Sequence, residues 1–293
     1  MNICIVGGSG FIGTQTAKLF SAAGHKVVIV DIKTPQIDCI FYKRDVRLCE
    51  FDDIFSVEKI DIVYNLAAVI FANECKDDPV RAIETNVRGL HHVLDGCIKT
   101  GVKKIVFSST VHVYESALAR DVDENTILDI RNGQNIYITS KLIGEQLIKS
   151  YNLMYGLNYT IYRYGVAYGV GGHKSNVVSK FTDLIKTGKE ITILGDPNKI
   201  TRSFLNVVDH ARANYIAILD IANNDTFNID SGRSVSLGEL VSIIESVVGK
   251  KAIIRVDDQR VSDYNGKNVS NEKASSILSW APTVTLEEGI SQL

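Results

Sequence analysis

The sequence predicts an α/β fold, a doubly wound parallel sheet followed by a smaller C-terminal α/β lobe. Two observations lead to this prediction. Short apolar, β-rich runs alternate with stretches of helical spacing through the first 165 residues, which is the order of elements in a parallel sheet. The glycine-rich string GGSGFIG stands between the first strand and the first helix, where such sheets bind their ligands.

The first 31 residues form a complete βαβ unit. Residues 2–6 are a β-rich run, residues 14–23 have helical spacing, and residues 27–30 are a second apolar run that ends in Asp31. Two parallel strands joined by one helix are the opening unit of a Rossmann-type sheet.

The turn after the first strand has the residues of a dinucleotide site. Gly7, Gly10 and Gly13 lie there, and glycines let the backbone turn tightly and approach a pyrophosphate. The start of the helix, with Phe11 and Ile12, offers free N–H groups and the positive end of the helix dipole. Because a strand precedes the glycines and a helix follows them, we predict that this turn binds a dinucleotide.

Asp31 indicates which dinucleotide is bound. A carboxylate at the tip of the second strand accepts hydrogen bonds from ribose hydroxyls and repels a 2′-phosphate. The sequence therefore favours NAD over NADP, although the nearby cation Lys33 could tolerate the phosphate.

The composition is that of an ordinary globular protein, with 45% hydrophobic residues, 23% charged residues and a net charge of −2. Neither charge forms a run, so we expect no nucleic-acid or anionic-membrane surface. No apolar stretch reaches the ~18 residues that would span a bilayer. The chain begins directly in a core strand, which leaves no room for a signal peptide, and we expect a cytoplasmic protein.

The cysteines and histidines point away from disulfides and metals. Five cysteines without a CxxC pair lie in the first third of the chain, namely Cys4, Cys39, Cys49, Cys75 and Cys97. We expect free, mostly buried thiols in a reducing compartment. His91 and His92 are adjacent on a predicted helix and face different sides, so we expect no metal site.

The other elements follow from apolar spacing and from the positions of glycine and proline. Up to Gly165 we predict strands at 40–42, 60–66, 103–107 and 159–164, helices at 86–98 and 136–155, and a helix starting near Pro79. Beyond it we predict helices at 177–186, 210–221 and 237–248 and strands at 191–194, 204–208, 226–229 and 253–256. We divide the chain into a dinucleotide-binding domain, residues 1–165, and a second lobe, residues 166–293, from which a segment such as 204–229 can return to the first domain.

A second group of residues carries acid–base chemistry. Tyr137 and Lys141 lie four apart on one predicted helix and therefore share a face. A lysine ammonium beside a phenol favours the phenolate, and we expect the pKa of Tyr137 to be lowered toward the working pH. Thr110, at the carboxyl end of a predicted strand, can supply a hydroxyl to the same site.

With these residues, the sequence resembles the extended short-chain dehydrogenase/reductases over essentially the whole chain. Within them it is most similar to the NAD-dependent nucleotide-sugar epimerase/dehydratase family. The motifs that match are the glycine string, Asp31, Asp45-Val46-Arg47, Leu66-Ala67-Ala68, Asn86-Val87, SSTVHVY from Ser108, Tyr137 with Lys141, and Arg163-Tyr164. Asn65 departs from the family, which usually has a histidine there.

The resemblance implies that the cofactor is NAD. The residues that it implies for the cofactor are Gly7, Gly10, Phe11, Ile12, Gly13, Asp31, Asp45, Val46, Leu66, Ala67, Ala68, Asn86, Ser108, Tyr137, Lys141 and Tyr164. It makes Thr110 the catalytic hydroxyl, with Tyr137 and Lys141 as the remaining catalytic pair.

The resemblance also implies that the substrate is a nucleotide-diphosphate sugar. The implied contacts are Thr110, Tyr137, Asn176, Arg202, Arg260 and Asp263. Two arginines converging on one cleft suit a diphosphate, because guanidinium groups bind phosphate oxygens bidentately. Val166 stands where the family often has an asparagine.

The residues after Thr110 bear on the choice of reaction. Family dehydratases resemble this core but carry an Asp-Glu pair there, and decarboxylases also use a carboxylate in this region. This chain has Val111 and His112 instead, so we disfavour both reactions. We expect an NAD-dependent 4-epimerase in which Tyr137 takes the proton of the C4 hydroxyl during transient oxidation. The alternative is an NAD(P)-dependent ketosugar reductase or dehydrogenase, and a third hypothesis is a non-catalytic NAD-sensing protein.

We expect a homodimer of two-fold symmetry. The predicted helices at 86–98 and 136–155 form the dimer interface in the family that the sequence resembles. In this chain they carry apolar residues that we expect to face outward, such as Leu142 and Met154.

Overall fold

The structure is a computed structural model that describes residues 1–131, 134–257 and 266–293. Its strands are β1 (Asn2–Val6), β2 (Lys26–Asp31), β3 (Ile40–Lys43), β4 (Ile62–Asn65), β5 (Lys104–Thr110), β6 (Asp121–Val122), β7 (Asn158–Tyr164), β8 (Val166–Tyr168), β9 (Glu190–Leu194), β10 (Thr201–Asn206), β11 (Asp225–Ile229), β12 (Ser234–Ser236), β13 (Ile253–Asp257) and β14 (Asn268–Val269).

Its α-helices are α1 (Phe11–Ala22), α2 (Asp52–Glu58), α3 (Ala72–Asp77), α4 (Pro79–Ile83), α5 (Gly89–Thr100), α6 (Ile136–Tyr155), α7 (Val177–Lys186), α8 (Val207–Ile216), α9 (Leu237–Val248), α10 (Glu272–Leu278) and α11 (Leu286–Ser291). A π-helical turn, Glu84–Arg88, precedes α5, and 3₁₀ turns occur at Val111–Ser116 and Asp220–Ala222.

The central sheet has seven strands in the order β11-β7-β5-β4-β1-β2-β3. Every neighbouring pair in it is parallel, which confirms the predicted doubly wound fold of the Rossmann type. The strand order reverses between β1 and β4. Sheets of this kind bind their ligands in a crevice at the carboxyl ends of these two strands, where Gly7 follows β1 and Leu66 follows β4.

Helices cover both faces of this sheet. On one face α2, α5 and α6 enclose an apolar cluster that includes Phe55 and Leu94, and on the other α1, α8 and α10 enclose one that includes Phe20 and Trp280. Strands buried on both faces are apolar almost throughout their length, which is why the sequence shows them as continuous runs.

The second lobe has its own core. β8, β10 and β12 form a three-stranded sheet, and β9 and β13 pair in parallel. Helices α7, α9 and α11 lie around a cluster that includes the buried residues Phe181, Ile191 and Leu240.

Part of the chain after residue 165 returns to the first sheet. β11 pairs with β7 at its edge, and α8 packs against α1. Both elements lie within 204–229, the segment that we allowed to return. The boundary at residue 165 itself stays a prediction.

Several predicted elements coincide with the structure, and others differ for local reasons. Helices α6, α7 and α9 have the predicted bounds. The predicted strand at 204–208 is wrong in its last two residues: Asn206 caps α8 through its side chain, which accepts a hydrogen bond of 3.0 Å from Val208 N, so that helix begins at Val207. The short helices α2, α3, α10 and α11 and the short strands β6, β8, β12 and β14 were not predicted.

None of the helices in the described ranges combines the length and apolar character that crossing a membrane requires. The five cysteines are free thiols, and all but Cys39 are buried. His91 Nδ1 lies 2.9 Å from the Tyr151 hydroxyl and His92 Nδ1 lies 2.9 Å from Val46 O, so the two rings have separate neighbours.

Candidate active site

The turn after β1 leaves no room for side chains at its glycines. Gly7 has a φ of +82°, and a Cβ there would lie 2.5 Å from Ala67 N. A Cβ on Gly13 would lie 2.5 Å from Gly7 O. Gly10 is the N-cap residue of α1, whose first-turn N–H groups have no partner within the helix. This cradle of bare backbone beside a helix start fits the pyrophosphate of NAD.

Asp31 is held in place at the end of β2. Its two carboxylate oxygens accept hydrogen bonds from Ser9 N at 3.0 Å and from Lys33 N at 2.9 Å. A carboxylate has about four lone-pair positions, so each oxygen keeps capacity for a ribose hydroxyl. The arrangement fits the predicted contact with the adenosine ribose.

Asp45 and Val46 lie in the loop after β3. Arg47 donates to both oxygens of Asp45, with Nη2 2.6 Å from Oδ2, and these hydrogen bonds lower the pKa of Asp45. The side chain of Val46 packs against Gly89, where a Cβ would lie 2.6 Å from Val46 Cγ2. The segment is therefore held by Arg47 and packed against the start of α5, and its contact with the adenine stays a prediction.

Asn86 connects the cofactor crevice to helix α6. Its Oδ1 accepts a hydrogen bond from Val69 N at 2.7 Å, and its Nδ2 donates to Val69 O at 3.0 Å and to Ser140 Oγ at 2.9 Å. Val69 follows Leu66, Ala67 and Ala68 directly. Asn86 therefore fixes the loop after β4, and any contact of this residue with NAD remains predicted.

The three predicted catalytic residues come together at the carboxyl end of β5. The Thr110 hydroxyl lies beside the Tyr137 hydroxyl and acts to lower the pKa of that phenol, while Thr110 Oγ1 accepts a hydrogen bond of 3.2 Å from His112 N. Lys141 Nζ lies 5.9 Å from the centre of the Tyr137 ring and donates to Ser108 O at 2.6 Å. Asn135 caps the start of α6 through its side chain, which sets the position of Tyr137 in the first turn.

Burial favours the uncharged forms of Tyr137 and Lys141. It raises the pKa of Tyr137 to about 12, against the opposing effect of the Thr110 hydroxyl. It also lowers the pKa of Lys141 to about 7, against the attraction of Glu145. The lowered phenol pKa that we predicted is therefore wrong for the cofactor-free protein, because desolvation of the phenolate outweighs stabilisation by a neighbour.

The predicted substrate contacts are only partly placed. Asn176 caps α7, where its Oδ1 accepts from Val178 N at 3.1 Å and its Nδ2 donates to Ala167 O at 2.7 Å. Arg202 lies half-buried on β10 and donates from Nη1 to Thr201 O at 2.9 Å. Arg260 and Asp263 lie outside the described residues, so the convergence of two arginines stays a prediction.

Ser108 and Tyr164 have different surroundings. Ser108 Oγ donates to Asn65 O at 3.2 Å and lies 3.5 Å from Lys141 Nζ, close to the catalytic group. The Tyr164 side chain lies in the core cluster shared with α1 and α8, and its hydroxyl donates to Asn214 Oδ1 at 2.5 Å. Its predicted contact with NAD is untested.

Three buried charged residues near the site were given no role by the sequence reasoning. Glu145 and Arg163 form an ion pair of 2.7 Å in which both side chains are at most 5% exposed. Asp230 is fully buried beyond the end of β11, where Ser203 and Gly232 N donate to its Oδ1 while Oδ2 lacks a partner in the described structure. Burial raises the pKa of Asp230 to about 6. Glu145 does carry a signal, because it continues the spacing of Tyr137 and Lys141 by one more turn.

Taken with the sheet, this arrangement has the features expected of an enzyme that uses a dinucleotide for redox chemistry. Residues 3–230 match the family described as "NAD dependent epimerase/dehydratase family". The chain belongs to that family, its cofactor is NAD, and the predicted resemblance is confirmed.

Named relatives agree with this assignment. The UDP-glucose 4-epimerase of Lacticaseibacillus casei is 31% identical over 312 residues, covering 96% of this chain and 92% of its own. A crystal structure of the Thermotoga maritima UDP-glucose 4-epimerase with UDP-glucose has a TM-score of 0.89 at 29% identity, covering 100% of this chain and 97% of its own. The Thermus thermophilus UDP-glucose 4-epimerase in complex with NAD has a TM-score of 0.86 at 25% identity, with the same coverage.

Relatives with another reaction also match. A dTDP-D-glucose 4,6-dehydratase of Dictyostelium discoideum is 27% identical, covering 99% of this chain and 80% of its own. Membership of the family therefore establishes an NAD-dependent enzyme but leaves the reaction to be argued from the site.

Proposed function

We propose that this enzyme is an NAD-dependent 4-epimerase of nucleotide-diphosphate sugars. The observation that carries the proposal is the contact of Tyr137 with Thr110, with Lys141 one helical turn away, at the sheet edge where Gly7 and Leu66 line the cofactor crevice. A tyrosine in this place can accept and return the hydroxyl proton of the sugar carbon from which the hydride is transferred.

The protein's part in the reaction is proton transfer and positioning. When bound, NAD supplies a place for the hydride of C4 and returns it. Tyr137 accepts the proton of the C4 hydroxyl while that carbon is oxidised, and it gives the proton back after the sugar has presented its other face. Thr110 forms a hydrogen bond to the same oxygen. Lys141, whose pKa lies near 7, places a positive charge beside the phenolate when it is protonated.

The residues after Thr110 support epimerisation over dehydration. Val111 is 4% exposed and packs in an apolar cluster with Val113 and Tyr114. Its aliphatic side chain can neither donate nor accept a proton. His112 Nδ1 lies 2.9 Å from Glu115 Oε1. A dehydratase needs one group to protonate the leaving hydroxyl and another to remove the C5 proton, and a single histidine cannot supply both.

The proposed substrate contacts come from the second lobe. Asn176 and Arg202 lie at the start of α7 and on β10, and we include Arg260 and Asp263 on the strength of the resemblance. Arginine suits a diphosphate because its guanidinium binds two phosphate oxygens at once. The three epimerases named above are UDP-glucose 4-epimerases, whereas the dehydratase relative is named for a dTDP-sugar. We propose a UDP-sugar as the substrate here.

One experiment tests the proposed function. The purified protein is denatured and its extract analysed for NAD, and the native enzyme is then given UDP-, dTDP-, GDP- and CDP-hexoses while C4 stereochemistry is followed by NMR. We expect bound NAD and inversion at C4 without accumulation of NADH. NADH formed in step with product, without inversion, would show the alternative, a one-way dehydrogenase or reductase. Loss of the C6 hydroxyl would show a dehydratase, and binding of NAD without turnover would show a sensor.

We also propose a homodimer. Helix α6 exposes Ile143, Leu153, Met154 and Tyr155, which are candidates for an apolar contact between two copies. The other expected helix, 86–98, lies wholly within the described residues and exposes no large apolar side chain, whereas α4, just before it, exposes Val80. Leu142 differs from the expectation, because it packs against the cluster around Val111. The free cysteines support a reducing compartment, and we propose the cytoplasm.

A further inference from the structure

Helix α6 carries three functional groups on one face. Tyr137, Lys141 and Glu145 are four residues apart, so they lie about 6 Å apart along the helix axis. Each meets the end of β5: Tyr137 contacts Thr110, Lys141 Nζ donates to Ser108 O at 2.6 Å, and Glu145 Oε1 accepts from Ser109 Oγ at 2.5 Å.

Glu145 is fixed by Arg163, which lies on the neighbouring strand β7. Arg163 Nε donates to Glu145 Oε1 at 3.0 Å and Nη2 donates to Oε2 at 2.7 Å. Nη1 of the same guanidinium donates to the Tyr114 hydroxyl at 2.8 Å, and Tyr114 in turn donates to Asn228 Oδ1 at 2.9 Å. The pair is therefore tied to β5, to β11 and to the turn that follows Thr110.

Stability alone does not explain such a pair. Taking two charges out of water costs about as much as their attraction returns, and well-packed apolar residues often serve equally well. The polar groups of this pair are satisfied on every side and adjoin the catalytic lysine. A role in the chemistry accounts for charges at this place.

We propose that Glu145 and Arg163 act as a positioning pair, which holds α6 against β5 and keeps a balanced negative charge one turn from the Lys141 ammonium. This inference rests on the proposed function of Tyr137 and Lys141. Neither Glu145 nor Arg163 touches the reacting atoms in it.

The pair affects the charge of Lys141 in a definite direction. Glu145 raises the pKa of Lys141, whereas burial lowers it to about 7. The other titratable or charged groups near this part of the site, among the residues described, include Tyr137 on the same helix, Cys75 beside Tyr137, and Arg163 behind Glu145. They also include Tyr114, which is hydrogen-bonded to Arg163, and Tyr159 on β7. Removing Glu145 leaves the positive charge of Arg163 near Lys141, which lowers the pKa of Lys141 further. Removing Arg163 leaves the negative charge of Glu145 uncompensated, which raises the pKa of Lys141.

The experiment measures the Lys141 titration and catalysis in the same variants. Lysines labelled with ¹³C at Cε are titrated by NMR in the full chain, and Lys141→Met identifies the Lys141 signal. We expect Glu145→Gln to lower the Lys141 pKa and Arg163→Met to raise it, each by more than about half a unit. We expect kcat to fall at least about tenfold in both variants while KM changes less than about threefold. Arg163→Lys should have a higher kcat than Arg163→Met, because lysine keeps the positive charge. Its kcat should stay below that of the unmodified enzyme, because lysine cannot form the two parallel hydrogen bonds to Glu145.

The double variant Glu145→Gln/Arg163→Met keeps the test decisive if a single variant does not fold, because it leaves no unpaired buried charge. We expect it to fold and to show reduced kcat. Asp209→Asn is the matched control: Asp209 is fully buried and paired with Arg212 at 2.8 Å, so its loss should lower Tm without moving the Lys141 titration.

A folded double variant with unchanged kcat, or single variants whose Lys141 titrations shift in the same direction, would overturn the proposal. The titration does not depend on the reaction. An unmodified enzyme that fails to invert C4 would therefore count against the proposed function and not against the positioning pair.

Discussion

Tyr137 and Lys141 occupy surroundings that oppose their charged forms, and the chemistry of the site begins from that fact. Burial raises the pKa of Tyr137 to about 12 and lowers that of Lys141 to about 7. A small change in the charge around Lys141 therefore changes its protonation near neutral pH. A residue of the same type elsewhere on helix α6 is therefore the best control for each substitution at this site.

Tyr137→Phe should lower kcat about 10²–10⁴-fold, because the variant loses the group that accepts the proton. NAD content of the purified protein and its Tm should stay close to those of the unmodified enzyme. Tyr151→Phe is the matched control, since Tyr151 lies on the same helix and its hydroxyl contacts His91 at 2.9 Å. Full activity in Tyr137→Phe would contradict the catalytic assignment.

Lys141 makes stability depend on pH. Its pKa falls from 10.5 to about 7 on folding, so between these values the folded protein binds fewer protons than the unfolded chain. Stability from this residue therefore increases as pH rises from 7 to 10.5, and the full cost of burying the charge is present below pH 7.

Lys141→Met should consequently help the cofactor-free protein most at pH 6, and the benefit should shrink toward pH 10. One pKa unit corresponds to about 1.4 kcal/mol, so the change across this window is a few kcal/mol at most. The unpaired Ser108 carbonyl adds a cost that does not depend on pH, so the informative quantity is the difference in Tm between the two pH values. Lys149→Met, on the half-buried side of the same helix, should show no such trend.

We expect the carboxylate of Asp31 to determine the preference for NAD over NADP. NAD should bind more tightly than NADP to the unmodified protein, and Asp31→Ala should narrow the difference, because the 2′-phosphate is no longer repelled. Titration calorimetry on protein stripped of cofactor measures both affinities. Asp38→Ala, an exposed carboxylate nearby in the chain, serves as the control, and equal affinities for the two cofactors before mutation would contradict the prediction.

At the scale of elements, one buried carboxylate joins the end of the chain to helix α8. Asp209 accepts hydrogen bonds from Arg212 Nη1 at 2.8 Å, Thr283 N at 3.0 Å and Val284 N at 3.1 Å. The segment that it holds carries Trp280, whose Nε1 donates to Asp209 O at 3.2 Å. The contacts lie behind the sheet and away from Lys141.

Asp209→Ala should therefore destabilise the protein by about 2–4 kcal/mol, because several buried donors lose their acceptor. Urea denaturation measures the change, and Asp220→Ala, at an exposed position near the end of the same helix, should change stability by less than about 0.5 kcal/mol. Equal stabilities of the two variants would show that the hydrogen bonds of Asp209 to the C-terminal segment do not stabilise the protein.

At the scale of the whole molecule, the prediction concerns assembly. Leu153 is 87% exposed and Met154 is 66% exposed on α6, so we expect this face to be covered by a second copy related by a two-fold axis. Light scattering at micromolar concentration should give twice the 32.3 kDa of one chain, and Met154→Lys should shift the protein toward monomer.

Leu118→Lys is the control for assembly, because Leu118 is 99% exposed in another part of the chain. It should leave the mass unchanged. A monomeric unmodified protein at micromolar concentration would contradict the dimer.

The sequence alone determined most of the longer elements and the class of site. Helices α6, α7 and α9 were predicted with their observed bounds, because apolar spacing and terminal residues are local signals. The cradle at Gly7 and Gly13 and the Tyr137–Lys141 pair were also predicted, since each depends on residues within one turn or one helix.

Only the tertiary structure decided what depends on contacts between distant residues. The return of β11 to the central sheet, the pairing of Glu145 with Arg163 and the burial of Asp230 each join segments that are separate in the chain. The raised pKa of Tyr137 belongs to the same group, because desolvation depends on everything packed around a side chain and not on its neighbours in sequence. Local pattern therefore specified which residues are candidates for the chemistry, and packing specified their charge and position.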